Sequence, residues 1–350
     1  MPTPHRILSI VGARPQFIKA AALSRVFLEA QDFAEILVHT GQHFDANMSA
    51  VFFEELAIPE PAYNLDIHGG SHGRMTGRML EALEGVIEQE RPHWVLVYGD
   101  TNSTLAGALA AAKLNIPVIH VEAGLRSFNR TMPEEINRVM ADHLSQLLLC
   151  PTAEAVANLA REGITSGVHQ VGDVMYDATL FAKEAAARSS RILDTLSLRP
   201  GSYSLCTVHR AENTDDEARF RKVLAFLEAA AQEAPVIFPI HPRTRQTLAR
   251  YGIEPRGIRL IDPVGYFDMH ALLSGAATVY TDSGGLQKEA YFHRVPCVTL
   301  RDETEWVETV EAGWNRLWTS PDYRPRRDIP DYGDGHAAEK IADVIRAAAR

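Results

Sequence analysis

The sequence predicts an α/β fold of two doubly wound parallel sheets, and three observations carry that reading. Short apolar runs alternate with longer amphipathic segments along the whole chain. The runs are continuous rather than alternately polar, as strands covered on both faces must be. They fall into two successive sets within 350 residues, a length that exceeds one small core and suits two domains.

The first set comprises RILSIVG (6–12), EILVHT (35–40), WVLVYGD (94–100), IPVIHVEA (116–123) and QLLLCP (146–151). Between these runs, VGARPQFIK (11–19) places Pro15 in the first turn of a helix, where a missing N–H costs nothing. TNSTLAGALAAAK (101–113) reads as a second helix capped by its Thr/Asn/Ser start. After Pro133, the residues Ile136, Val139, Met140, His143, Leu144 and Leu147 recur at helical spacing and predict one apolar helix face. The second set is SLCTVH (204–209), PVIFPIH (235–241), IRLIDPV (258–264), ATVYTDS (277–283) and PCVTLRD (296–302). The join between the sets falls near VGDVMYDA (171–178), giving an N-terminal domain over 1–172 and a C-terminal domain over 173–336. DYRPRRDIPDYGDGH (322–336) reads as a loop, and AAEKIADVIRAAAR (337–350) as a closing helix.

Composition bounds the function. Hydrophobic residues make up 46% and charged residues 23%, ordinary for a globular chain. The formal net charge of −10 argues against a broad nucleic-acid surface. Cys150, Cys206 and Cys297 sit apart in apolar runs, which predicts buried thiols in a reducing cytoplasm rather than a disulfide frame or a zinc site. The start, MPTPHR, lacks the apolar stretch of a secretory signal, and no apolar run is long enough to span a bilayer. The expected setting is cytoplasmic, with neither membrane nor nucleic acid as partner.

In such folds ligands bind at the carboxyl ends of the strands. Each strand end here carries ionisable residues, and most admit two readings. Arg14 and Lys19 flank a helix start, where they can meet a phosphate or pair with a neighbouring acid. Asp100 is either a site acid or a plain N-cap. Glu122 lies two residues past His120, on the same side of a strand. Glu134 either faces the site or closes a capping box with Thr131, and Glu135 reads as an ordinary first-turn acid. In the second half, His209 and Arg210 follow one strand, and His241 and Arg243 follow the next. Ser283-Gly284-Gly285 opens a helix and reads either as an anion cradle, with Glu289 one turn on in reach of a ribose diol, or as an ordinary glycine-rich strand–helix turn. Together these residues predict an interdomain cleft with a diphosphate on one side and carboxylates on the other, suited to acid–base work on a neutral carbon skeleton. No Cys/His/Asp cluster has metal-ligand spacing, so neither a metal nor another cofactor is expected.

The segments GARPQFIK, TGQHFDANM, YGDTNSTLAG, HVEAGLRS, MPEEINR, VHRAEN, TDSGGLQKEA and RDETEW occur in order from about residue 6 to 312, and together they resemble the non-hydrolysing UDP-N-acetylglucosamine 2-epimerase family. The resemblance implies a GT-B fold with the last helix crossing back onto the first domain, and a homodimer. It also implies elimination of UDP to a 2-acetamidoglycal followed by re-addition, in the service of surface-polysaccharide synthesis. By motif match, Asp100, Glu122 and Glu134 become the acid/base set. His209, Arg14 and Lys19, with Ser283 and Gly285, hold the diphosphate, and Glu289 takes the ribose. Tyr266 and Met269 lie in the uracil-side segment DPVGYFDM, and Gln42 and His43 match part of a second, activating nucleotide-sugar site. Trp306 stands where GlcNAc-specific members commonly have arginine. That residue and the run LDIHGGSHGRMTGRML (65–80) look most like the branch acting on UDP-2,3-diacetamido-2,3-dideoxy-glucuronate, whose carboxylate would call for Arg126, Arg130 or Arg243. A GT-B glycosyltransferase would share the nucleotide cradle without needing three carboxylates beside the sugar. A hydrolysing epimerase would release free sugar, and its usual kinase domain has no counterpart here.

Overall fold

The computed structural model describes residues 4–42, 55–56 and 58–348. The chain divides into two compact units, Met1–Ala178 with Pro330–Arg350, and Thr179–Ile329.

In the first unit, β1 (His5–Val11), α1 (Arg14–Glu29), β2 (Phe33–His39), β3 (Tyr63–Asn64), α2 (His72–Glu90), β4 (Trp94–Tyr98) and α3 (Asn102–Lys113) come first. They are followed by β5 (Val118–Val121), α4 (Pro133–Leu144), β6 (Leu147–Cys150), α5 (Ala153–Arg161), β7 (Val168–Gln170) and the start of α6 (Val174–Ser189). Every strand pair is parallel, in the order β3-β2-β1-β4-β5-β6-β7. Strands β4, β5 and β6 are buried along their whole length, which is why their sequences carry no polar alternation. On one face of the sheet Leu8, Ile10, Val95 and Val97 pack against Met79 and Leu83 of α2 and Ala106 and Ala110 of α3. The Ala/Gly richness of α3 lets it lie close on the sheet: a Cβ at Gly107 would come within 2.5 Å of Ile10 Cδ1. The closing helix belongs to this unit. Within it, Ile341, Ala342 and Ile345 are fully buried, and Arg346 pairs with Asp32 at 2.6 Å.

The second unit continues with α7 (Ile192–Leu196), β8 (Ser204–Thr207), α8 (Ala211–Thr214), α9 (Glu217–Ala230), β9 (Val236–Pro239), α10 (Pro242–Tyr251) and β10 (Ile258–Ile261). It ends with α11 (Tyr266–Gly275), β11 (Thr278–Thr281), α12 (Gly284–Phe292), β12 (Cys297–Thr299), α13 (Val307–Glu311) and β13 (Asn315–Leu317); α14 (Ala337–Ala348) is the closing helix of the first unit. Its strands are again all parallel, in the order β10-β9-β8-β11-β12-β13. Phe220, Leu227, Phe238 and Cys206 fill one side of this sheet, and Tyr203, Leu205, Leu273 and Val279 fill the other.

The two sheets share one plan. Strand order reverses between β1 and β4 in the first unit and between β8 and β11 in the second, and such reversals open a ligand crevice at the strand ends. The three cysteines are buried and unpaired with one another. Among the described residues, no helix is long and apolar enough to cross a membrane.

One element departs from its sequence pattern. Helix α4 exposes Ile136 and Met140, at 49% and 44%, and buries Glu135, Asn137, Ala141 and Asp142 instead. Leu147 belongs to β6 rather than to the helix. The periodic apolar face is therefore not the core face. The helix turns its polar face inward because that face carries the groups that tie the strand-end loops together.

Candidate active site

At the first reversal the loops after β1 and β4 are stitched by a buried side chain. Gln16 Oε1 accepts the N–H groups of Gly12 and Ala13 at 2.8 and 3.1 Å, while its Nε2 donates to Tyr98 O and Thr104 Oγ1 at 2.8 and 3.0 Å. Gly12 must be glycine, since a Cβ there would stand 2.1 Å from Thr40 Oγ1. Arg14 opens α1. One turn on, Lys19 is 8% exposed and forms an ion pair with Glu122. Thr101, not Asp100, caps α3, its hydroxyl accepting from Thr104 N. Asp100 is thereby released from capping and pairs with Arg138 of α4, and Asn137 donates to the Asp100 carbonyl at 2.9 Å. A Cβ at Gly99 would lie 3.3 Å from both Glu122 Oε2 and Lys19 Nζ, so the two ion pairs adjoin the same turn. Lys19 and Glu122 also line a small pocket with Asp173, Gly172 and Pro151.

Glu122 leaves β5 with φ 70°, a left-handed conformation that a glutamate adopts at some cost. The loop beyond it is organised by Glu135. This carboxylate is 2% exposed, accepts the N–H groups of Ser127 and Phe128 at 2.9 Å each, and pairs with Arg138 at 3.1 Å. Glu135 is thus a loop clamp rather than a surface acid. The capping box does not form: Met132 is the N-cap without a side-chain bond, and Thr131 Oγ1 donates to Asn129. Glu134 is exposed in the first helical turn, and its side chain makes no hydrogen bond or ion pair among the described residues.

Arg126 faces inward. Its side chain is 1% exposed, bonded to Asp142 at 2.6 Å and forked onto Glu162 with both distances 2.7 Å. The guanidinium is fully committed, so the sugar-pocket role read for it in the sequence gives way to a structural one. Arg130 stays exposed on the same loop. Burial raises the Asp142 carboxyl, yet His120 and Arg126 against it hold it below the ordinary carboxylate range.

The second reversal uses a different stitch. Asp282 is fully buried and accepts from the backbone N–H groups of His209 and Arg210 at 3.1 and 3.0 Å and from Asn213 Nδ2 at 3.1 Å. His209, 44% exposed in its side chain, also turns Nδ1 towards Asp282 at 3.5 Å. Ser283 caps α12, accepting from Leu286 N, so the first turn of the helix presents backbone donors beside it. Gly284 lies close beneath two side chains: a Cβ would meet Glu305 Oε1 at 2.3 Å and Trp306 Nε1 at 3.2 Å, so Glu305 would have to shift. Gly285 is exposed at the same helix start. Burial raises the Glu305 carboxyl, but Arg301 at 2.7 Å and Arg210 at 3.7 Å keep it below its usual range. Glu289 is buried, with His270 Nε2 at 3.9 Å. Tyr266 is 2% exposed and packs edge-on against His270, and Met269 packs against the core beneath. Arg243 is engaged by Asp215 at 2.8 Å, and His241 caps α10.

Gln42 is held by Ser103 at the start of α3, while His43 lies outside the described residues. The structure gathers Lys19, Asp100 and Glu122 at the strand ends of one unit, and His209, Ser283, Gly284 and Gly285 at the reversal of the other. Sequence reasoning missed Gln16, Arg138, Glu135 and Asp282. Arg138 stands one helical turn beyond Glu134 and Asp282 immediately precedes the cradle, so spacing offered a signal for those two. Among the described residues no cluster of three His, Cys, Asp or Glu side chains could hold a metal ion.

Two doubly wound units, one with cation-held carboxylates at its strand ends and one with an anion-ready helix start, define the GT-B class of nucleotide-sugar enzyme. Comparison with known proteins narrows the class. The family model described as UDP-N-acetylglucosamine 2-epimerase matches residues 27–346. The chain is 51% identical to the UDP-2,3-diacetamido-2,3-dideoxy-D-glucuronate 2-epimerase of Pseudomonas aeruginosa, covering 97% of this chain and 99% of that one. It is 44% identical to a UDP-N-acetylglucosamine 2-epimerase of Methanococcus maripaludis, covering 97% and 98%. The crystal structure of the Methanocaldococcus jannaschii UDP-GlcNAc 2-epimerase in complex with UDP-GlcNAc and UDP aligns with a TM-score of 0.88 at 40% identity, covering 98% and 99%. The chain belongs to the UDP-N-acetylglucosamine 2-epimerase family and is an isomerase.

Proposed function

We propose that this chain interconverts UDP-N-acetylglucosamine-type and UDP-N-acetylmannosamine-type nucleotide sugars without hydrolysis. The observation that carries the proposal is the adjacency of two cation-held carboxylates, Glu122 with Lys19 and Asp100 with Arg138, around one strand-end turn. The C2 proton of the sugar is not acidic, so departure of UDP must lead. The C1–O bond breaks with its electron pair going to UDP, and positive charge grows at C1. That charge weakens the C2–H bond, whose proton passes to a carboxylate while its electrons form the C1–C2 double bond. The reverse addition, with the proton delivered to the other face, gives the 2-epimer. We assign acid and base to the set Asp100, Glu122 and Glu134. Lys19, first read as a diphosphate contact, is paired with Glu122, so the charge that develops on the leaving diphosphate is assigned to His209, Arg14 and the start of α12 at Ser283 and Gly285, and the ribose to Glu289. A homodimer in the cytoplasm, serving surface-polysaccharide synthesis, completes the proposal.

A second reading keeps this chemistry and changes the sugar to UDP-2,3-diacetamido-2,3-dideoxy-glucuronate. The 51% identity to the enzyme of that name and Trp306 in place of arginine favour it. Of the three arginines considered for its carboxylate, Arg126 and Arg243 are engaged by acids, which leaves Arg130. Incubation with each nucleotide sugar in D₂O, followed by NMR at C2, tests both readings. Deuterium at C2 of a 2-epimer still joined to UDP is expected, and the substrate that turns over faster names the sugar. Release of free sugar, or no exchange with either substrate, would sink the epimerase reading.

A further inference from the structure

His120 is a fully buried ionisable side chain in the middle of β5, and the reaction as proposed gives it no task. Its two ring nitrogens are both engaged. Nε2 lies 2.7 Å from the carbonyl oxygen of Gly99, which can only accept, so Nε2 donates. Nδ1 lies 2.7 Å from Asp142 Oδ1. The other Asp142 oxygen accepts from Gly124 N at 3.1 Å and from Arg126 Nη1 at 2.6 Å. Asn158 closes the far side by donating to the Gly124 carbonyl at 3.0 Å.

The backbone that this network grips is unusual. Gly99, Glu122 and Gly124 all have positive φ, at 60°, 70° and 81°. One leads into Asp100, and the other two are Glu122 itself and the residue two positions beyond it. Gly99 N also donates to Val121 O at 3.0 Å, so the turns are tied together on both sides of His120. A well-packed apolar residue at 120 would satisfy the core at least as well as a desolvated His–Asp pair, because burying such a pair returns little net stability. What an apolar residue cannot do is hold the Gly99 carbonyl.

We propose that His120 is a positioning residue. Held by Asp142, it fixes the left-handed turn at Gly99 and thereby the placement of Asp100 against Glu122. This inference rests on the assignment of those two carboxylates to the proposed epimerisation.

Two isosteric variants separate positioning from mere structural support. Asn at 120 places its amide nitrogen near Nδ1, which keeps the Asp142 contact and loses Gly99. Gln places its amide nitrogen near Nε2, which keeps Gly99. On the substrate that exchanges at C2, His120→Asn is expected to lower kcat by about 10- to 100-fold, as a misplaced catalytic group does, with KM and the Kd for UDP held within about threefold. His120→Gln is expected to recover most of that loss. A folded His120→Asn enzyme with kcat within about threefold of the parent overturns the inference, as does equal impairment of the two variants. Should His120→Asn fail to fold by circular dichroism, Asp142→Asn carries the same test: loss of kcat at constant KM supports positioning, and retained kcat refutes it. Absence of C2 exchange in the parent enzyme itself would instead remove the epimerase reading, so the two failures are distinguishable.

Discussion

At the scale of single residues, the site is a set of charges that hold one another in place. Lys19 and Glu122 are both nearly buried, and each compensates the desolvation of the other. The function assigned to Glu122 makes a sharp expectation. Glu122→Gln should lower turnover by about 10²- to 10⁴-fold, the range of a lost general acid or base. Titration calorimetry should find the Kd for UDP changed by less than about threefold, because the groups assigned to the diphosphate are separate. Comparable loss of both would make Glu122 a binding or structural residue. Arg138 shows how much a single residue can link: it reaches Asp100 through one nitrogen and Glu135 through another, so the assigned acid and the loop clamp share a cation.

At the scale of elements, helix starts and strand ends do the positioning, and α4 is the instructive case. Its apolar spacing predicted a core face, yet Ile136 and Met140 are exposed and the buried face is Glu135, Asn137 and Asp142. Periodicity reports which residues share a side, and burial normally favours the apolar side. Here hydrogen bonds to the loops reverse the choice. The closing helix α14 offers a pH-dependent counterpart. Asp177 accepts from Ala338 N at 2.7 Å at its start, and burial pushes the Asp177 carboxyl up to about 6 against those N–H bonds. A raised folded-state value means that the folded protein holds this proton more tightly than the unfolded chain. The contribution is therefore complete below about pH 4 and is lost as pH rises through about 6. Urea unfolding of the parent and of Asp177→Asn should show the parent's advantage shrinking by about 2 kcal/mol between pH 4 and pH 7. A constant difference would contradict that origin.

At the scale of the whole molecule, the chain returns its last helix to its first unit. Ile345 is fully buried there, and Ile345→Ala is expected to cost about 2–4 kcal/mol in that unit's unfolding. In scanning calorimetry of the parent and the variant, one transition should move down while the other stays where it is; equal shifts of both would contradict the division. Much of this plan was legible in the sequence. Continuous apolar runs announce parallel strands, and the rule that ligands gather at strand ends selects Lys19, Asp100, Glu122, His209 and Ser283. Partnership was not legible. Lys19 and Glu122 are 103 positions apart, and Asp100 meets Arg138 across 38. Only the strand order β1-β4-β5 brings these residues to neighbouring ends. The inward commitment of Arg126 was hidden for the same reason, because its partner Glu162 lies 36 positions along, at the end of α5.

The backbone at Glu122 has a consequence for anyone who would improve this protein. A glutamate held at φ 70° and married to a buried lysine is a local loss for folding, and a methionine at 19 with a glycine at 122 would relieve both burdens by about 1–3 kcal/mol. Laboratory selection for heat resistance alone would therefore be drawn towards that pair of replacements. On the role proposed for Glu122, it would hand back a sturdier molecule that no longer turns over, so any such screen on this scaffold has to score catalysis in the same round.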